Sequence, residues 1–322
     1  MFAGRFEGAE AWTAATFDTA RWRVVLPPEC RAELDRALAT YRQNPLPTVL
    51  LDPAEFALAA CAALMRDVRR RLEDETRFVL LDRLSVEAMT KEEAKALYWL
   101  LCSLLARPVS QKLVDGTMVY DVHDTGVVAT AGSGIRPDKT NIEITLHNDN
   151  SYNPNPPDFM GLMCLRTALS GGISRVISFH ALHNYLQAQS QNALARLYEP
   201  FWFDRQREHL PDEAPTYAAP MFAYEDGRLR TRLALFQMKN AAVMRGEPID
   251  EAGRVAVAAV EDALARPELC ASFDMAPGQI QFLNNLAVGH SRTAFVDHDE
   301  PERRRHIVRI WMRDRGHRGY RG

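Results

Sequence analysis

Apolar side chains recur at three- and four-residue spacing in three stretches of the first third of the chain, the pattern of helices that bury one stripe. Residues 28–42 (PECRAELDRALATYR) form the first, and residues 53–72 the second, with Phe56, Ala60, Leu64, Val68 and Leu72 on one face. The third opens at Thr90, where TKEE has the form of a capping box, and its apolar run ALYWLLCSLLA stops before Pro108. Between the last two, RFVLLDRL (77–84) is a short unbroken apolar run suited to a buried strand.

From Val114 the rhythm shortens. VDGTMVYDVHD, NIEITLHND, DFMGLMCLRTA, SGGISRVISF, FWFDRQ, MFAYEDGRLRTRLALF, GQIQFLNN and HIVRIWMRD read as short strands bounded by turn residues. Two helices interrupt them, at 178–197 and 250–265, and the glycine-bearing polar stretch 126–139 reads as a loop and candidate lid. Strands in this number after a helical third predict an α+β chain with an antiparallel sandwich or jelly roll as its core. No repeat, low-complexity linker or break in composition marks a boundary, so residues 1–322 are expected to form one domain: a helical portion, 1–112, packed on a core, 113–315.

Composition narrows the partners. A formal net charge of −3 provides no field to gather nucleic acid or anionic lipid, so a small molecule is the expected partner, and a homo-oligomer is left open. No stretch approaches the roughly 18 consecutive apolar residues of a membrane span, and the N-terminal segment lacks an apolar signal core. With neither feature a cytoplasmic protein is expected, and the five scattered cysteines, without a CxxC pair, argue against a disulfide framework or a zinc knuckle.

Chemistry enters at His147 and Asp149. If ITLHND continues a strand, side chains two apart leave the same face and deliver an imidazole and a carboxylate to one cavity. Two histidines and a carboxylate on one face of an octahedron are the facial triad of non-haem iron oxygenases. A His-Asn-Asp-Asn-Ser turn also needs no metal at all, and the tripeptide by itself decides nothing.

The segments HNDNSYNPNPPDFMGLMCLRTALSGGIS (147–174), GQIQFLNNLAVGHSRTAF (278–295) and RRRHIVRIWMRD (303–314) together resemble the taurine dioxygenase/TfdA family of Fe(II)- and 2-oxoglutarate-dependent oxygenases, over about residues 113–315. The resemblance implies a double-stranded β-helix, or jelly roll, with iron held by His147, Asp149 and His290. It also implies that Arg305 anchors the remote carboxylate of 2-oxoglutarate, with Ser174 in the place of a family threonine that shares that carboxylate. Arg309, four residues on, is a second candidate for co-substrate or substrate; strand alternation places Arg305, Ile307 and Arg309 on one face. The implied reaction uses dioxygen to hydroxylate an unactivated C–H and releases succinate and CO2. With Asp149 present no ligand position is vacated for halide, and desaturation or ring closure is the alternative outcome.

The substrate is read from the same neighbourhood. By alternation Glu143 shares the face of His147, where a buried carboxylate would need a cationic partner, and Arg309 would hold a carboxylate. Asn150 also lies beside the ligands. Together they suggest an amine-bearing or amino-acid-like substrate. A zinc hydrolase using the same three ligands is the competing enzyme class, but it has no need of the arginine pair or of SGGIS.

Overall fold

The structure is a computed structural model and describes residues 1–17, 19–127 and 137–320, so most of the candidate lid, residues 128–136, lies outside the described residues. Two sheets face each other. The larger runs in the order Arg23–Val25, Phe78–Asp82, Ile280–Asn284, Phe159–Arg166, His306–Arg313 and Arg107–Val109, with Val119–Val122 also paired to His306–Arg313. The smaller runs Cys270–Phe273, Ser174–Ser178, Val288–Arg292 and Ile144–His147. Every pairing within these sheets is antiparallel except that of the first two strands of the larger one. Met160, Cys164, Val176, Leu283, Val288, Ile307 and Trp311 fill the space between the sheets. This is the jelly-roll architecture, in an α+β chain, that the strand count predicted.

Helices close both outer faces. Pro28–Gln43, Ala59–Asp74 and Lys91–Leu105 cover the larger sheet, burying Trp99, Leu97 and Met65 against Phe282, Val308, Ile310 and Met312. Thr90 and Glu93 form the expected reciprocal cap, a feature that stabilises a helix by about 1 kcal/mol. On the smaller sheet, Phe179–Gln189, Gln191–Leu197 and Glu251–Leu264 bury Leu182, Leu194 and Val260 around Ile177. The first 112 residues are more than a helical cover, because three of their strands belong to the larger sheet.

Three sequence expectations need correction. The second helix starts at Ala59, after a short turn at Pro53–Glu55, because the buried Glu33 carboxylate accepts the backbone N–H groups of Ala60 and Cys61 and fixes its N-terminus there. The helix expected over 178–197 is broken at Ser190, whose extended backbone lets its hydroxyl cap a new helix at Gln191. The run read as strand through Phe236 instead turns into the helix Leu235–Arg245, which ends on Gly246 in the left-handed region.

Candidate metal centre

Strand pairing brings the two histidines together. His147 closes Ile144–His147, His290 lies in Val288–Arg292, and the two are register partners, their ring centroids 4.4 Å apart. Asp149 arrives by a different route from the one alternation implies: the strand ends at His147, and the carboxylate is presented by the turn that follows. That turn is locked. Asn285 accepts the Asp149 N–H at 2.9 Å and donates to the Asp149 and Pro157 carbonyls. Asn148 donates to the carbonyls of Asn285 and Thr231 and accepts the Leu233 N–H.

The Asp149 carboxylate divides its work. Oδ1 faces Nε2 of His147 at 3.3 Å and Nε2 of His290 at 3.8 Å. Oδ2 accepts Nε1–H of Trp311 at 2.7 Å and lies 3.0 Å from Nη1 of Arg309. Burial alone would raise this carboxyl; the Arg309 guanidinium and the two imidazoles outweigh it and hold the group well below the usual carboxylate range. Burial, reinforced by His147, pushes His290 down to about 3, so its imidazole is neutral and a lone pair is available. In His147, Nδ1 lies 2.8 Å from the Thr145 carbonyl, an arrangement that turns Nε2 toward the centre.

These donors fit a divalent metal. One ligand atom from each of His147, Asp149 and His290 can be chosen so that all lie within 4.8 Å of one another. Metal bonds of about 2.1 Å place neighbouring octahedral donors roughly 3 Å apart, so a small contraction completes the set. No other such group of three exists among the described residues. His180 and His183 are buried in the helix Phe179–Gln189, away from this centre.

A cavity of about 270 Å³ has Cys164, Gly172, Ser174, Arg305 and Ile307 in its lining, together with Arg166 and Asp274. Arg305 is buried, rests 5.2 Å from the centroid of the Phe295 ring and has no ion-pair partner among the described residues. Burial, opposed by Cys164 and Asp297, brings its pKa down to about 10, which leaves it charged at neutral pH. Gly172 has φ +72°, and a Cβ there would sit 3.1 Å from Nε of Arg305, so the second glycine of SGGIS leaves room for the guanidinium. A buried cation lining a polar cavity suits a carboxylate ligand.

The remaining candidates are placed as follows. Arg309 shares the inner face with Ile307 and Trp311; its Nε donates to Gln111 at 2.7 Å and its Nη2 lies 3.6 Å from Asp138. Glu143 does not meet its premise of burial: it is exposed and pairs with exposed Arg175 at 3.2 Å. The cause is a bulge. Ile144 partners Arg292 while His147 partners His290, so one extra residue shifts the alternation and sends Glu143 to the opposite face. Asn150 is also turned away from a substrate role, since its Oδ1 accepts from Asn153 and Tyr320 and its backbone adopts φ 52° to shape the turn. Trp311 and Gln111 were missed, although Trp311 continues the 305, 307, 309 alternation.

Comparison with known proteins gives a consistent picture. The model of the family described as "Taurine catabolism dioxygenase TauD, TfdA family" matches residues 42–311. The FR-33289 synthase of Streptomyces rubellomurinus is 26% identical over 309 residues, covering 95% of this chain and 89% of that protein. The taurine hydroxylase-like protein SAT17 of Stachybotrys chartarum is 25% identical, covering 97% of this chain and 80% of that protein. Among solved structures, an asparagine oxygenase in complex with Fe(II), 2S,3S-3-hydroxyasparagine and succinate superposes with a TM-score of 0.66 at 18% identity, covering 91% of this chain and 94% of that one. The non-heme iron oxygenase OrfP, in complex with Fe and alpha-ketoglutaric acid, gives 0.65 at 15% identity with the same coverage.

Proposed function

The chain belongs to the taurine catabolism dioxygenase TauD, TfdA family, and on that footing we propose that it hydroxylates an unactivated C–H of a small amine-bearing, amino-acid-like substrate. It is a non-haem iron, 2-oxoglutarate-dependent dioxygenase. The single observation that carries the reading is the gathered His147, Asp149 and His290 together with the buried Arg305, which has no ion-pair partner among the described residues. A zinc hydrolase would have no use for that cation.

His147, Asp149 and His290 would hold the iron, and Arg305 with Ser174 would hold the far carboxylate of 2-oxoglutarate. Bound there, ferrous iron, 2-oxoglutarate and dioxygen supply the oxidising power for C–H hydroxylation, with succinate and CO2 released. The protein's own share is geometric. Trp311 and Arg309 fix the Asp149 carboxylate through its outer oxygen, leaving the inner one for the metal. The apolar packing of Val176, Val288 and Ile307 excludes water from the inter-sheet space.

For the substrate, Arg309 is the proposed anion contact. Support for a neighbouring amine comes from Asp138, whose Oδ2 lies 3.6 Å from Arg309 while its buried Oδ1 has no hydrogen-bond partner among the described residues. Two of the solved relatives were captured with hydroxylated amino acids, 2S,3S-3-hydroxyasparagine and (3S)-hydroxy-L-Arg, which makes that class the first to try. The test is to load the protein anaerobically with Fe(II) and 2-oxoglutarate, screen amino acids and amino sulfonates for perturbation of the iron spectrum, then admit oxygen and quantify succinate. Amine-bearing compounds should perturb the site and trigger oxygen uptake. Perturbation only by uncharged or purely anionic compounds would refute the amine-bearing reading.

A further inference from the structure

We propose that Arg292 is a second cation of the co-substrate seat, binding the far carboxylate of 2-oxoglutarate together with Arg305 and Ser174. The inference rests on the co-substrate reading above and adds a residue that the reading does not use. Arg292 closes the strand Val288–Arg292, and its register partner across the sheet is Ser174. Partners in an antiparallel pair share a face, so the arginine leaves the sheet on the side of the serine that lines the cavity. Its guanidinium lies 4.5 Å from the Phe295 ring centroid, and that of Arg305 lies 5.2 Å from the same centroid. Two cations thus converge on one aromatic ring: Arg305 lines the polar cavity itself, and Arg292 stands beside it, across the sheet from the lining Ser174.

The hydrogen bonds of Arg292 are incomplete. Nη2 donates to the Thr140 and Ile142 carbonyls at 3.2 and 2.8 Å, which ties the residue to the chain entering the His147 strand. Nε and Nη1 are buried and have no hydrogen-bond partner among the described residues. Among the described residues no carboxylate reaches either Arg292 or Arg305 at ion-pair distance. A backbone-holding role accounts for Nη2 alone. Buried guanidinium donors without acceptors are unfavourable, and a carboxylate arriving in the cavity would accept from both arginines at once.

The deciding experiment measures equilibrium binding by calorimetry to the Fe(II)-loaded protein under anaerobic conditions. The two probes are 2-oxoglutarate and 2-oxovalerate, which carries the same keto-acid head but no far carboxylate. Arg292→Met should weaken 2-oxoglutarate by roughly 10- to 100-fold while changing 2-oxovalerate by less than about 2-fold. Arg292→Lys, which keeps the charge and loses the fork, should show the same selectivity with a smaller loss, and it decides the question alone if the Met variant does not fold. Equal weakening of both probes, or of neither, would overturn the proposal. Failure of the wild-type protein to bind 2-oxoglutarate would instead remove the reading beneath it, and is recognised because no variant is involved.

Discussion

The strand His306–Arg313 is buried along its whole length, yet its two faces do opposite things. Val308, Ile310 and Met312 point outward into the helices and belong to one continuous apolar core. Ile307, Arg309 and Trp311 point inward, following Arg305, and two of these four inner side chains carry a charge. From Val308 to Met312 the outer face is satisfied by packing alone. On the inner face, by contrast, Arg305 has no counter-ion among the described residues and Arg309 leans on the Asp149 carboxylate. Burial therefore does not distinguish structure from function here; what does is whether a buried polar group finds its partner within the chain.

Substitutions that act on one face and spare the other would break or sharpen that contrast. The largest effect is expected from Arg305→Met, which should weaken 2-oxoglutarate binding by roughly two orders of magnitude in a calorimetric titration. Its melting temperature should hold or rise, because an uncompensated buried charge has been removed. Ile310→Ala, on the outer face, should reverse the pattern: about 2–5 kcal/mol lost in denaturant unfolding, with 2-oxoglutarate affinity unchanged when measured well below the melting point. Trp311→Phe keeps the ring volume and deletes the donor to Asp149, so metal affinity should fall roughly 10-fold or more with little change in stability.

A smaller effect tests the edge of the outer face, where Asp121 accepts from Lys95 at 3.0 Å and from His306 at 2.7 Å. Burial would raise this carboxyl, but the hydrogen bonds from His306 and Lys95 and the charge of Lys95 outweigh it and depress it well below the ordinary value. A depressed folded-state value means stability that is present above the unfolded value near pH 4 and lost as the pH falls through the acid range. The Asp121→Asn variant should therefore be less stable than wild type at neutral pH and show a shallower loss below about pH 4 in pH-dependent unfolding.

Much of this was legible in the sequence. The capping box at Thr90 and the runs at Phe159–Arg166 and His306–Arg313 were readable because local chemistry and periodicity agree with the fold. The three candidate ligands meet in space, although Asp149 gets there from a turn rather than from the strand. What escaped depends on long-range contacts. The bulge beside His290 displaced Glu143, and no pattern within NIEITLH announces it. Asn285 clamps a turn more than a hundred residues away, and Asn150 shapes that same turn through Tyr320 near the C-terminal end. The family resemblance pointed to Arg305 and Arg309 and strand alternation put them on one face, but the reading stopped one step short of Trp311.

The central claim is that three distant side chains and a waiting guanidinium form one iron and 2-oxoglutarate site. Its most direct measurement is anaerobic calorimetry of Fe(II) and 2-oxoglutarate on the wild-type protein and on His290→Ala. The expected result is one iron and one 2-oxoglutarate per wild-type chain, each tightening the other, with both lost in the folded variant. Iron binding that survives His290→Ala undiminished, or a wild-type protein indifferent to 2-oxoglutarate, would contradict it.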